Sequence, residues 1–279
     1  MKIWEKWKKL KVSKGLKNKM IKTTLYNGKI ELIFEAYGHK YTINGKPVSS
    51  VTKILSIISK PALINWAARV AVEHVHEQIT PGKSYDEVQL LAIFEDAKKA
   101  HYQKKVTAGN IGSFVHDWVE NYIKGKKPAM PVNKDLKEAV QRFLDWQKEY
   151  KVKFLLSEQQ VYSIKYNYTG TLDFICVIDG KMYIGDLKTS SGIYPEMLIQ
   201  TAAYRFAREE EYPKEKYAGQ IIVKVGKEDG SLEVAVIKDG EWYLKMITAF
   251  VSALKLSESM EIIKEFRHEK LELKKEVKK

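Results

Sequence analysis

The sequence predicts an α/β fold in which a central mixed β-sheet is flanked by helices and joined to an amino-terminal, mainly helical region. Three observations predict it. The runs Thr171 to Ile178 and Lys181 to Lys188 are rich in Ile, Val, Phe and Tyr, and only Asp179-Gly180 separates them, a favoured two-residue turn between antiparallel strands. Both faces of that hairpin are apolar: Ile175, Val177, Met182 and Ile184 lie on one, and Leu172, Phe174, Cys176, Ile178, Tyr183 and Leu187 on the other. A sheet of that kind needs helices over both sides. Segments of helical character flank it, at about 50–79, 84–108, 110–124 and 135–150 before the hairpin and 195–208 after it.

The remaining elements follow in order. Residues 30 to 44 read as a short β segment that ends in an Asn44-Gly45 turn, and Phe154 to Ile164 as a strand entering the hairpin. Pro195 to Arg208 lacks Gly and is rich in Ala, Leu and Met, as a helix requires. Tyr217 to Val225 and Ser231 to Ile237, joined by a loop with Asp229-Gly230, extend the sheet, and a charged helix runs from about Glu241 to Lys275. Trp66, Phe94, Trp118, Phe143 and Trp146 are expected in the core. No repeat or Pro/Ser-rich linker divides the chain, so 23–151 and 152–279 are expected to form one integrated domain behind a basic tail, 1–22.

The hairpin also places chemistry. Pairing Ile178 with Lys181 sets Asp173 opposite Asp186, with Lys188 on the face of Asp186 two residues on. Directly opposed residues have Cβ atoms roughly 5 Å apart, and like charges there are destabilising unless a cation lies between them. Carboxylates at the rim of a buried sheet suit Mg²⁺ or Mn²⁺, and the Leu187 carbonyl could add an oxygen. Acid-x-Lys alone says little, because it recurs at Asp96, Asp135, Glu149, Asp179, Glu272 and Glu276. What sets Asp186-Leu187-Lys188 apart is its place at the end of an apolar strand, facing an Asp that follows Gly170-Thr171-Leu172.

Four motifs in order extend this pattern: Gly112-Ser113-Phe114-Val115-His116, Gly170 to Asp173, Asp186 to Lys188, and Gln200 to Tyr204. Pro47 to Leu55 and Leu63 to Ala67 precede them. In this the chain resembles the PD-(D/E)XK nuclease superfamily, and within it the group of RecB-type nuclease domains, phage exonucleases and the mitochondrial genome-maintenance exonuclease. The resemblance covers roughly residues 40 to 210 and rests on the ordered set. It implies a restriction-endonuclease-like core and metal-dependent hydrolysis of DNA, as an exonuclease acting on free or single-stranded ends in replication, recombination or repair. It further implies that His116 joins Asp173 and Asp186 around Mg²⁺ or Mn²⁺, that Gln200 and Tyr204 contact the phosphate or Lys188, and that Glu158 is an acid near the metal. Taken by themselves, the residues leave a second reading open at each position: His116 as a hydrogen-bonded structural histidine, Gln200 as solvent-facing above a core Tyr204, and Glu158 as one polar residue on a half-exposed strand. A structure-specific flap or junction endonuclease and a non-catalytic DNA-end-binding subunit are the competing functions.

Composition points the same way. The net charge of +13 calls for a polyanionic partner, and nucleic acid is the commonest. Nine lysines fall in the first 22 residues against Glu5 alone, interleaved with Trp4, Trp7 and Leu10. That segment is either a solubilising tail or a contact to an anionic surface. It has no Arg and one Ser, which disfavours mitochondrial import, and with no apolar run of membrane-spanning length a cytoplasmic protein is expected. The single cysteine, Cys176, excludes an intrachain disulfide and a four-cysteine iron–sulfur cluster. No phosphate-binding loop of Walker type is present, so any helicase or recombinase function would come from a separate partner.

Overall fold

The computed structural model describes residues 20–226, 230–238 and 240–276. Four short strands open it: β1 (Met20–Leu25), β2 (Ile30–Glu35), β3 (Lys40–Ile43) and β4 (Lys46–Ser50). Each pairs antiparallel with the next, and Asn44 and Gly45 both take left-handed backbone in the β3–β4 turn. Helices α1 (Val51–Leu55), α2 (Pro61–Gln78), α3 (Glu87–Ile123) and α4 (Lys134–Glu149) follow. Then come β5 (Lys153–Ser163), β6 (Tyr168–Ile178), β7 (Lys181–Lys188), α5 (Pro195–Glu211), β8 (Tyr217–Val225), β9 (Leu232–Lys238) and α6 (Glu241–Glu276).

The strands form one mixed nine-stranded sheet in the order β1-β2-β3-β4-β6-β7-β8-β9, with β5 on the other edge of β6. Asp179 and Gly180 both have positive φ, and β6 pairs with β7 from Phe174↔Gly185 to Ile178↔Lys181, the register the two-residue turn dictates. The parallel pairs are β4 with β6 and β7 with β8. Because β4 bonds to β6, the amino-terminal meander belongs to the same sheet as the hairpin.

Helices cover both faces of this sheet. Val115, Trp118 and Val119 of α3 and Phe143 and Trp146 of α4 pack with Phe174, Cys176, Leu187 and Ile221. On the other side Ala203, Tyr204 and Ala207 of α5 and Phe250 of α6 pack with Leu172, Ile175 and Ile184. Leu172 thus lies on the side of Ile175, not with Phe174 as strict alternation requires. The alternation breaks at Asp173, opposite Glu158, whose φ of 50° interrupts the β5–β6 ladder between Ser157↔Phe174 and Gln159↔Leu172.

Three sequence expectations are corrected. The segment 50–79 is two helices, since Pro61 disfavours helical backbone at Lys60, which has φ −121° and ψ 73°. The segments 84–108 and 110–124 are one helix, α3, which runs through Gly109 and Gly112: a helical glycine costs roughly 1 kcal/mol but does not stop a helix without a cap. Phe94 is 44% exposed and Trp66 only half-buried, because α2 packs chiefly on α3 and no third layer closes over them. The basic segment lies, up to residue 19, outside the described residues, as does Asp229 of the β8–β9 loop. Among the described residues no helix is long and apolar enough to cross a membrane.

Candidate metal centre

The site lies where β6 changes neighbours. Its residues Tyr168 and Thr169 pair with Ser49 and Ser50 of β4, and from Phe174 onward the same edge pairs with β7. Between them the edge is open. Continued by one residue, the β6–β7 register sets Asp173 opposite Asp186, but the ladder ends first. In its place the Leu187 N–H donates to Asp173 Oδ2 at 2.7 Å. A strand's N–H groups point within the sheet, so the Asp173 carboxylate lies in the sheet's own layer rather than on either face. In extended backbone the N–H and C=O of one residue point to the same edge, so the Leu187 carbonyl also faces this opening.

Two elements add groups to Asp173. His116, on α3, places Nδ1 3.5 Å from Asp173 Oδ2. Glu158, on β5, completes a set in which one ligand atom each from His116, Glu158 and Asp173 lies within 4.8 Å of the others. Left-handed backbone is uncommon for a glutamate, and here it redirects the side chain at the strand position facing Asp173. Burial, then Asp173 and Glu120, push the Glu158 carboxyl up to about 8, with Lys124 opposing. An imidazole and two carboxylates at this spacing could hold a metal ion, and a cation there would relieve the repulsion that raises Glu158.

Asp186 lies outside that group of three. Its side chain, 0% exposed, faces the α5 side, with Oδ2 2.6 Å from Lys188 Nζ and Oδ1 accepting from Gln200 Nε2 at 3.4 Å. Burial, opposed by Lys188 and reinforced by Asp173, moves Asp186 up to about 6. For Lys188 burial acts downward, but Asp186 and Asp173 outweigh it and hold the amine above its ordinary value, so it stays cationic.

Gln200 also donates to the Tyr204 hydroxyl at 3.0 Å. Tyr204 is 3% exposed and braces Gln200 from within, so of the two contacts the resemblance implied, phosphate or Lys188, its burial disfavours a direct one to the phosphate. Its ring explains Gly170 of the Gly170–Asp173 motif: a Cβ there would lie 2.4 Å from Tyr204 Cε1. Gly170→Ala is therefore expected to lower stability by about 1–3 kcal/mol through overpacking. Gly170→Ala/Tyr204→Ala should then lose less than the two single costs added, in thermal melts of the four proteins. Simple additivity would show that the ring does not need the glycine.

The resemblance implied His116, Asp173 and Asp186 around the metal with Glu158 an acid near it, yet Glu158 stands in the three-residue group and Asp186 does not. The acid itself was visible, but not the left-handed turn of backbone that aims it. In the presence of a chelator Glu158 makes a directional prediction. Its folded value of about 8 exceeds the ordinary 4.5, so between these the folded chain keeps a proton that the unfolded chain has released. Stability from this group is full below the ordinary value and falls as pH rises toward 8. Glu158→Gln should flatten the decline of Tm between about pH 6 and 8.5. An unchanged slope would exclude the buried acid.

No protein-family model matches this chain, and no curated protein matches it. Among solved structures it is similar to one described as the crystal structure of SSO0001, at 11% identity and a TM-score of 0.34, over 70% of this chain and 86% of that one.

Proposed function

We propose that this chain is a metal-dependent nuclease with a PD-(D/E)XK, restriction-endonuclease-like core, hydrolysing phosphodiester bonds of DNA from free or single-stranded ends. The observation that carries this reading is the convergence of His116, Glu158 and Asp173 within 4.8 Å at the opening of the β6–β7 ladder, beside the Lys188–Asp186 pair. A surface cluster of acids would not bring a histidine from α3, a strained glutamate from β5 and a strand-capping aspartate from β6 to one point.

The residues divide the work. His116, Glu158 and Asp173 would hold Mg²⁺ or Mn²⁺, with the Leu187 carbonyl and Asp186 at the edge of that set. The ion would supply a Lewis acid for the phosphate and a lowered pKa for attacking water. Lys188 brings a fixed positive charge to the negative charge that grows on the phosphate oxygens in the transition state. Asp186 holds that amine in place, and Gln200 and Tyr204 hold Asp186. The net charge of +13 favours approach of a polyanion.

The test uses end-labelled linear DNA and covalently closed single-stranded circles, each incubated with the full chain and Mg²⁺ or Mn²⁺. Loss of linear DNA alone is the expected result. Cutting of circles would replace the exonuclease with an endonuclease, and tight binding without cleavage would leave a non-catalytic DNA-end-binding protein.

A further inference from the structure

The tip of the β2–β3 hairpin stands beside the opening in β6. Continuing the β3–β4 register beyond Tyr41↔Val48 sets His39 next to Ser50, which itself pairs with Thr169 of β6. Residues 36–39 therefore turn at the level where the unpaired edge of β6, residues 170–173, begins. The hairpin is fastened there by Tyr41, whose hydroxyl is 3.2 Å from that of Thr171.

The tip carries more aromatic surface than a turn needs. Tyr37, at its end, is 72% exposed. Behind it the exposed His39 ring stands edge-on to Phe34 and Tyr41, with centroids at 5.1 and 5.5 Å, and Phe34 packs on Tyr41 at 4.6 Å. The shape is set by left-handed backbone at Gly38 and His39 and by the His39 N–H donating to the Ala36 carbonyl. The Lys40 side chain lies back across Gly38, with Cε 3.2 Å from where a Cβ there would sit. An exposed ring, a braced second ring and an ammonium within one turn are the parts that grip a single strand: bases stack on the rings and a phosphate meets the amine.

We propose that the β2–β3 tip is a nucleobase-stacking station, in which Tyr37 and His39 hold a base of the strand that enters the site while Lys40 meets its phosphate. This rests on the nuclease reading, for which it names a single-stranded segment as the form of DNA held next to the metal centre. Base stacking on an aromatic side chain is sequence-tolerant, so the station would grip any base and discriminate only against its absence.

The experiment measures binding of the full chain, with a chelator present, to a fluorescent single-stranded oligonucleotide and to the same length carrying abasic sites. Tyr37→Ala combined with His39→Asn tests the station, since both positions are exposed and asparagine tolerates the left-handed backbone of residue 39. The variant is expected to bind the base-bearing strand about tenfold more weakly and the abasic strand as before. Equal losses on both strands, or no loss, would overturn the station. Cleavage of linear DNA by the unaltered protein reports on the nuclease reading separately. A protein that cleaves while the variant keeps its preference for bases refutes the station alone, and a protein that neither binds either strand nor cleaves linear DNA refutes both.

Discussion

Asp173→Asn is expected to lower the rate of DNA cleavage by about 10²–10³-fold, the usual cost of removing one preorganised electrostatic group from a reacting site, with little loss of stability. The choice of asparagine matters. Asp173 Oδ2 accepts the Leu187 N–H at 2.7 Å, and an amide oxygen can keep that bond. Alanine cannot, and an orphaned N–H beside a residue only 1% exposed would cost about 1–3 kcal/mol. Loss of activity in Asp173→Ala would thus mix folding with chemistry. Asparagine also removes one of the charges that push Glu158 upward, so its Tm should match or exceed that of the parent at pH 8. The measurement pairs initial rates on end-labelled DNA in Mn²⁺ with thermal melts. A variant that melts normally and still cuts within tenfold of the parent would remove Asp173 from the chemistry.

The hairpin was legible because its turn leaves little freedom. Asp179-Gly180 fixes the register, and the register places Asp173 against Asp186 before any coordinate is known. The covering of both faces followed from the apolar residues on each. What alternation could not show was its own failure at Asp173, where Leu172 and Phe174 face opposite sides. That break comes from Glu158 adopting a conformation its residue type disfavours, and propensity carries no signal for such a choice. The helices failed in the complementary way. Gly109 looked like an ending, but it lies within α3, whereas Pro61 ends a pattern that apolar spacing alone carried across it.

In the site, Lys188 and Asp186 were read as neighbours on one face and stand 2.6 Å apart. The sequence could not say that this contact would turn Asp186 away from Asp173. Two carboxylates set opposite each other invite a shared cation, and for Asp186 that cation is an amine of the same strand. Gln200 and Tyr204 four residues apart gave the correct shared helix face. That Tyr204 faces inward depended on Gly170, thirty-four positions earlier, leaving room for a ring.

Lys188→Met is expected to be the most destabilising single change in the site, and its cost should depend on pH. It leaves Asp186, which is 0% exposed, without its cation, while Gln200 Nε2 at 3.4 Å is too distant to replace it. Breaking a buried ion pair by removing one partner costs about 3–5 kcal/mol. At roughly 2–4 °C per kcal/mol, the variant should melt about 6–20 °C below the parent at pH 8. The sign with pH follows from Asp186. Its folded value of about 6 already exceeds the ordinary 3.8, and Lys188 is the strongest influence holding it down, so the substitution raises it further. A carboxyl raised in the folded state keeps its proton where the unfolded chain has lost it, so the fold gains relative stability as pH falls through the raised value. The gap between variant and parent should therefore narrow from pH 8 to pH 5. Lys188→Met/Asp186→Asn should recover most of the stability at pH 8, because neither buried partner is then charged, and should recover no cleavage if the amine acts on the phosphate as proposed. Denaturant melts of the parent, the single variant and the double variant at pH 8 and 5 measure all three effects. A gap that does not change with pH would mean that Asp186 is not the group Lys188 neutralises.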